Sequence, residues 1–194
     1  KNTAVGYGSM TSNTSGQLNT AVGHDALEYG SSGNRNTAIG FEALRVNSAS
    51  YYNTGVGAGA LTDANRTSDT DGYNTALGYN AGNTGTNDVT TGHKNTLLGA
   101  STAASAAAGS NQSVIGYGAT GQADNSVVLG NADVTAVYMA QDKGATVHAA
   151  GADLSGSAGL ILENDETITN STDGTVLING IVSGGTGSAA GVFT

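Results

Sequence analysis

Residues 19–23 read Asn-Thr-Ala-Val-Gly, and variants of this pentapeptide recur over the first two thirds of the chain. Six copies begin with an asparagine: Asn2, Asn19, Asn36, Asn53, Asn74 and Asn95. Two copies without it follow at 112–116 and 126–130. The glycines that close the eight copies are unevenly spaced: Gly6, Gly23, Gly40, Gly57, Gly78, Gly99, Gly116 and Gly130. We interpret the shortest spacing, from Gly116 to Gly130, as one basic coil, and the additional residues of the longer spacings as surface-loop insertions.

Each pentapeptide has the pattern of a short β-strand that ends at a sharp corner. Thr and Val (or Ile or Leu) share one face of such a strand, while Asn and Ala share the other. The small Ala suits a tight interior, and the β-branched residues suit a packed pleated surface. The closing Gly admits the positive φ that a corner needs. A helix is disfavoured because each interior Gly costs up to about 1 kcal/mol.

A second short apolar element follows several strands, as in residues 26–27, 43–44 and 60–61, and a polar turn comes next. Strand, turn, strand and turn between one motif and the next make one coil of a β-solenoid. Stacked coils place equivalent residues about 4.8 Å apart. We therefore expect the six motif asparagines to form a structural ladder whose amides hydrogen-bond along the axis.

The outward face of such a solenoid predicts lateral association. The interior is mostly Ala, Val and Thr, and the β-branched face has no partner within the chain. A closed cyclic homo-oligomer is the usual solution. Because Thr shares its face with Val or Leu, we expect the Thr to pack inward, which argues against an ice-binding surface.

The pentapeptide series and residues 126–130, Ser-Val-Val-Leu-Gly, resemble the head repeats of trimeric autotransporter adhesins. The longer units, such as residues 36–52, are also similar to repeats of bacteriophage tail fibres and related virion appendages. The resemblance implies an all-β, left-handed parallel β-roll (β-solenoid) built as a homotrimer.

The same resemblance implies a structural fibre or appendage protein of a virus particle. Its partners would be two further copies, other virion or appendage proteins, and a host-surface glycan or protein contacted through the insertion loops. The expected location is the virion. The alternative is the head of a bacterial trimeric adhesin that binds cell-surface or matrix molecules, located on the bacterial cell surface.

The repeat ends near residue 135, which divides the chain into three segments. Residues 1–135 are the repeat β-roll, 136–159 a linker or transition, and 160–194 a small C-terminal β module with a flexible tail. Residues 134–139 alternate and favour a strand that leaves the solenoid. Within the module, 160–162, 167–169 and 175–178 are short strand candidates.

Composition excludes several classes of protein. Lys and Arg total 6 against 15 Asp and Glu, for a net charge of -9, so we expect no nucleic-acid partner. The absence of Cys excludes disulfides and thiolate metal sites. No apolar run approaches the roughly 18 residues that a membrane-spanning helix needs, so we expect no membrane insertion.

No combination of residues predicts catalysis, a metal or a cofactor, so we expect that the protein is not an enzyme. His24, His93 and His148 lack ligand spacing. Residues 69–72, Asp-Thr-Asp-Gly, lack the other ligands of a calcium loop. The carboxylates of residues 163–166 favour a solvated turn.

Two groups of aromatic residues stand out. The first follows the motif glycines and favours cladding of a coil corner or an inter-chain seam: Tyr7, Phe41, Tyr79 and Tyr117, with His24 in the same place. The second group, Tyr51, Tyr52 and Tyr73, lies in the insertions, just before a strand. Because loops carry binding, these three are the tentative contacts for a host molecule.

Overall fold

Eight short parallel strands form one continuous sheet in the computed structural model, which describes residues 1–64 and 72–138. The strands are β1 (Thr3–Val5), β2 (Thr20–Val22), β3 (Thr37–Ile39), β4 (Thr54–Val56), β5 (Thr75–Leu77), β6 (Thr96–Leu98), β7 (Ser113–Ile115) and β8 (Val127–Leu129). Each strand pairs with the next one along the chain. The chain therefore returns to the same side after every circuit, which makes an all-β parallel solenoid of about seven turns and confirms the predicted class.

The strand register follows the pentapeptide, independently of coil length. Thr37 pairs with Thr54 across one of the shorter coils. Thr54 pairs with Thr75, and Thr75 with Thr96, across the two longest coils. The additional residues therefore do not shift the pairing.

A second hydrogen-bond ladder runs along another side of the coils. The backbone N–H of Leu27 donates to the Ala43 carbonyl oxygen at 3.0 Å, and that of Leu44 donates to Ala60 at 3.0 Å. The series continues to Ala103, which donates to Ala119 at 2.9 Å. Successive coils are thus bonded to each other on at least two sides.

The interior contains two facing columns of apolar side chains. The central strand residues form one column, and its buried members are Ala21, Ala38, Ala76, Leu97 and Val114. The other column contains the fully buried Leu27, Leu44 and Leu61. The motif asparagines from Asn19 onward are buried on the same side of the strand as the alanines. This is the inward pairing of Asn and Ala that strand alternation predicts.

One pair of positions exchanges a large and a small side chain. Gly82 stands where the preceding coil has Leu61, and Leu97 stands where the preceding strand has Ala76. A Cβ atom on Gly82 would lie 2.7 Å from Leu61 Cδ2 and 2.9 Å from Leu97 Cδ1. The leucine has moved to the opposite column at this level, so the core volume is conserved.

This exchange predicts a compensating pair of substitutions. Leu97→Ala should lower the free energy of unfolding by about 2–5 kcal/mol through a cavity, and Gly82→Leu alone by about 1–3 kcal/mol through overpacking. The double variant should recover most of the loss, because Leu27, Leu44 and Leu61 occupy equivalent positions with a similar positive φ. Urea midpoints of the four proteins measure the coupling. Strictly additive losses would contradict the volume exchange.

The threonines do not pack inward within the chain, so that prediction was wrong. Thr3, Thr75 and Thr96 are exposed, and the intervening three are half-buried. The reason is the strand period of two: once Asn and Ala point into the core, Thr and Val must point out.

Several sequence predictions fall outside the described residues. The calcium-like residues 69–71, most of the predicted linker 136–159, and the whole module 160–194 with its three strand candidates lie there. Residues 134–138 are described and form no strand; the Val134 N–H instead donates to the Asn131 carbonyl oxygen at 3.2 Å in a turn. The described segments contain no helix long and apolar enough to cross a membrane.

Candidate functional site

The motif asparagines stack directly above one another and connect successive coils. The backbone N–H of Asn36 donates to Asn19 Oδ1 at 2.8 Å, and that of Asn53 donates to Asn36 Oδ1 at 2.9 Å. The same bond joins Asn2 to Asn19, Asn53 to Asn74 and Asn74 to Asn95. The acceptor is therefore a side chain, and the donor is the backbone of the next motif asparagine.

The side-chain amides of the ladder also fix the turns that close the coils. Nδ2 of Asn19 donates to the Gly33 carbonyl oxygen at 2.8 Å, and Nδ2 of Asn36 donates to Ser50 at 2.9 Å. Asn74 and Asn53 are in addition joined amide to amide, at 3.1 Å. This geometry differs from the predicted ladder, in which side-chain amides bond to each other. Here each side chain bonds both to the backbone of the next motif asparagine and to a carbonyl oxygen in a turn.

The ladder changes residue type at its last described levels. Gln112 takes the Asn position, and its Nε2 donates to Ser105 Oγ at 2.7 Å and to Asp124 Oδ1 at 3.1 Å. Asp124 Oδ1 also accepts the Ser110 N–H at 2.8 Å. The Ser110 hydrogen bond first, and then that of Gln112, lowers the pKa of the Asp124 carboxyl group. A carboxylate acceptor thus completes the coil where the motif lacks asparagine.

A column of exposed and half-buried apolar side chains runs the full length of the sheet. We call it the apolar stripe, and it consists of Val5, Val22, Ile39, Val56, Leu77, Leu98, Ile115 and Leu129. Val5 is 57% exposed, Leu77 47% and Ile115 38%. Because parallel pairing holds the register, these side chains form one continuous line beside the threonines.

Aromatic residues border the apolar stripe on its glycine side. We call this column the aromatic edge: Tyr7, His24, Phe41, Ala58, Tyr79, Ala100 and Tyr117. The rings of Tyr7 and His24 are stacked with centroids 5.2 Å apart, and those of His24 and Phe41 with centroids 5.5 Å apart. His24 Nδ1 also lies 3.0 Å from Asp25 Oδ2. Tyr7, Tyr79 and Tyr117 are strongly exposed.

A different set of side chains borders the other side of the sheet. We call this column the basic edge: Lys1, Leu18, Arg35, Tyr52, Tyr73 and Lys94, each immediately before a motif asparagine. From Leu18 onward these residues have a positive φ, which marks the corner that precedes each strand. Three of the four Lys and Arg residues in the described part of the chain lie on this edge.

The structure brings the three predicted contact tyrosines together. The rings of Tyr52 and Tyr73 are stacked, with centroids 4.9 Å apart and an angle of 8° between planes. Tyr51 meets Tyr52 edge-on at 6.5 Å. Sequence reasoning missed Arg35. Its Cζ atom lies 5.4 Å from the centroid of the Tyr52 ring, and its Nη1 donates to the Tyr52 hydroxyl at 3.0 Å. The signal was available, because Arg35 and Tyr52 each precede a motif asparagine in successive copies of the repeat.

The described residues hold no group of three His, Asp or Glu side chains placed to bind a metal ion. His24 lies on the aromatic edge, whereas His93 forms an isolated bridge with Ser110 on the other side of the sheet. His148 and the carboxylates of 163–166 lie outside the described residues.

The surface of the described solenoid therefore offers one apolar stripe between two chemically different edges. The chain matches no protein-family model, no curated protein and no solved structure.

Proposed function

We propose that this chain is a structural component of a virion fibre or appendage, in which three copies associate side by side as a left-handed β-roll. The observation that carries the proposal is the apolar stripe on a repetitive, hydrogen-bonded scaffold. The resemblance of the repeats to tail fibres and adhesin heads supplies the number of copies and the handedness.

An apolar line along the whole sheet is unfavourable in water. Large contiguous apolar patches on soluble proteins mark interaction surfaces. Because the line is repetitive, the surface that fits it best is the same line on another copy. A closed ring of copies hides every stripe at once.

The scaffold supports a mechanical role. Two backbone ladders and the asparagine ladder tie the coils to their neighbours, and eight levels at about 4.8 Å span roughly 38 Å. Such a unit resists bending and leaves few open backbone groups to proteases. Host contact, in this proposal, belongs to the insertion loops.

Association is tested by mass measurement in solution. Native mass spectrometry of the chain should give three copies, and the paired substitution Ile39→Glu with Leu77→Glu should give a folded monomer. Two charges in the middle of the stripe would have to be desolvated in the assembly, which disfavours association strongly. Thr86→Glu, an exposed change in an insertion, is the matched control. A wild-type chain that is folded and monomeric at micromolar concentration would overturn the proposal.

Location is tested separately by immunogold labelling. Label on the appendages of virus particles supports the virion role. Label confined to a bacterial envelope would contradict it and favour the adhesin head.

A further inference from the structure

We infer that the aromatic edge of one copy packs against the basic edge of the next copy at the same level, forming the seam between neighbouring chains. This inference rests on the proposed side-by-side assembly. It also assigns Tyr52 and Tyr73 to contact between copies in place of host contact.

The two edges are the borders of the surface that the assembly would bury. Within one level, the basic-edge residue precedes the motif asparagine, and the aromatic-edge residue follows the motif glycine. On β3, for example, Arg35 lies on one side of the apolar Ile39 and Phe41 on the other. When copies turn their stripes toward a common axis, the left border of each copy meets the right border of the next.

Charge distinguishes the two borders. The basic edge carries Lys1, Arg35 and Lys94 on a chain whose net charge is -9. The aromatic edge is followed directly by the acidic residues Asp25 and Glu42. An antiparallel pair of copies would place basic edge against basic edge. A parallel cyclic arrangement places unlike edges together, so charge favours the parallel one.

Pairing at equal height follows from the symmetry of a cyclic assembly. Rotation about an axis parallel to the solenoid leaves every level at the same height, so each strand's own two borders define the contact. At the β3 level Arg35 would lie opposite Phe41, which the acidic Glu42 follows. At the β4 and β6 levels the aromatic edge carries Ala58 and Ala100, and the opposite edge carries the long Tyr52 and Lys94. A small residue thus leaves room for a large one at both levels.

The two edges are also organised before any partner arrives. The Tyr7, His24 and Phe41 rings already stack along the axis, and Arg35, Tyr52 and Tyr73 form a second stack on the other border. Rings fixed in this way lose little rotamer freedom on association, which favours binding.

Cysteine pairs test the seam, because the chain has no native Cys. Two variants place one thiol on each edge of the same level: Leu18→Cys with His24→Cys, and Tyr52→Cys with Ala58→Cys. The exchanged pairs, Leu18→Cys with Ala58→Cys and Tyr52→Cys with His24→Cys, contain the same four substitutions two levels apart, about 10 Å along the axis. Each full-length variant is oxidised, and in parallel treated with a short bis-maleimide for thiols too distant for a disulfide.

The same-level pairs should yield covalent dimers and trimers on denaturing gels, at least about fivefold more than the exchanged pairs. Native mass spectrometry of each untreated variant is the accompanying measurement. An intact trimer with equal or no cross-linking in all four variants would overturn the seam and leave the trimer standing. A monomeric wild-type chain would overturn both.

Discussion

Gly40→Ala should lower the free energy of unfolding of the solenoid by at least about 4 kcal/mol. Gly40 has a φ of 132°, and a Cβ atom built there would lie 2.6 Å from both the carbonyl carbon and oxygen of Gly57. Those atoms belong to the backbone of the next coil, so no side-chain rotation relieves the overlap. The strained φ costs of order 1–3 kcal/mol, and separation of the coils adds to that loss. Together these two costs give the expected loss, which is exceptionally large for one substitution and close to the total stability of a marginal domain.

Gly85→Ala is the matched control for this prediction. Gly85 also has a positive φ, 84°, but a Cβ atom there would meet nothing within 4 Å. The Gly85→Ala variant measures the cost of placing alanine at a positive φ where no clash between coils occurs. Circular dichroism and urea unfolding of both variants give the comparison. If Gly40→Ala were no less stable than Gly85→Ala, the close approach of successive glycines would not limit the coil spacing.

Asn36→Leu should lower the free energy of unfolding by about 3–5 kcal/mol. The Asn36 side chain is buried, accepts the Asn53 N–H at 2.9 Å and donates to the Ser50 carbonyl oxygen at 2.9 Å. Leucine has nearly the same size but leaves both backbone groups without these partners in the interior, at about 1–3 kcal/mol each. Packing in a tight coil adds a smaller cost.

Asn2→Leu tests whether this loss depends on burial. Asn2 makes the same two bonds, to the Asn19 N–H and the Gly16 carbonyl oxygen, but it is exposed on the first described coil. Both bonds are only part-buried at Asn2, so water can replace the lost partners in part, and we expect a smaller loss than at Asn36, about 1–2 kcal/mol. Thermal and urea unfolding should separate the two variants clearly. Equal losses would show that the ladder acts through local turn geometry alone.

Much of the fold was predictable because the pentapeptide combines a period of two with a closing glycine. Those two features determine where each strand lies, which side chains face inward, and that strands from successive copies pair in register. The longest coils were recognisable as insertions for the same reason, and Thr54, Thr75 and Thr96 stay aligned across them.

The features that the sequence did not predict depend on contacts between different strands and turns, which the pattern of a single pentapeptide does not contain. The prediction that Thr packs inward was wrong. Thr shares its strand face with apolar Val or Leu, but the opposite face, with Ala and Asn, is the one that packs into the core. The exchange between Gly82 and Leu97 requires knowing which side chains share a level. The link from the asparagines to corner carbonyls depends on the turn geometry, and the basic edge depends on which corner residues are aligned.

The constant register across coils of unequal length has an evolutionary consequence. A duplicated repeat inserted in the gene between two motif copies would add one coil to the solenoid. The pairing of the coils on either side would stay the same. The coils can meanwhile gain residues without a change of register, as those that end at Gly78 and Gly99 illustrate. The length of such a solenoid and the sequences of its coils can therefore change independently.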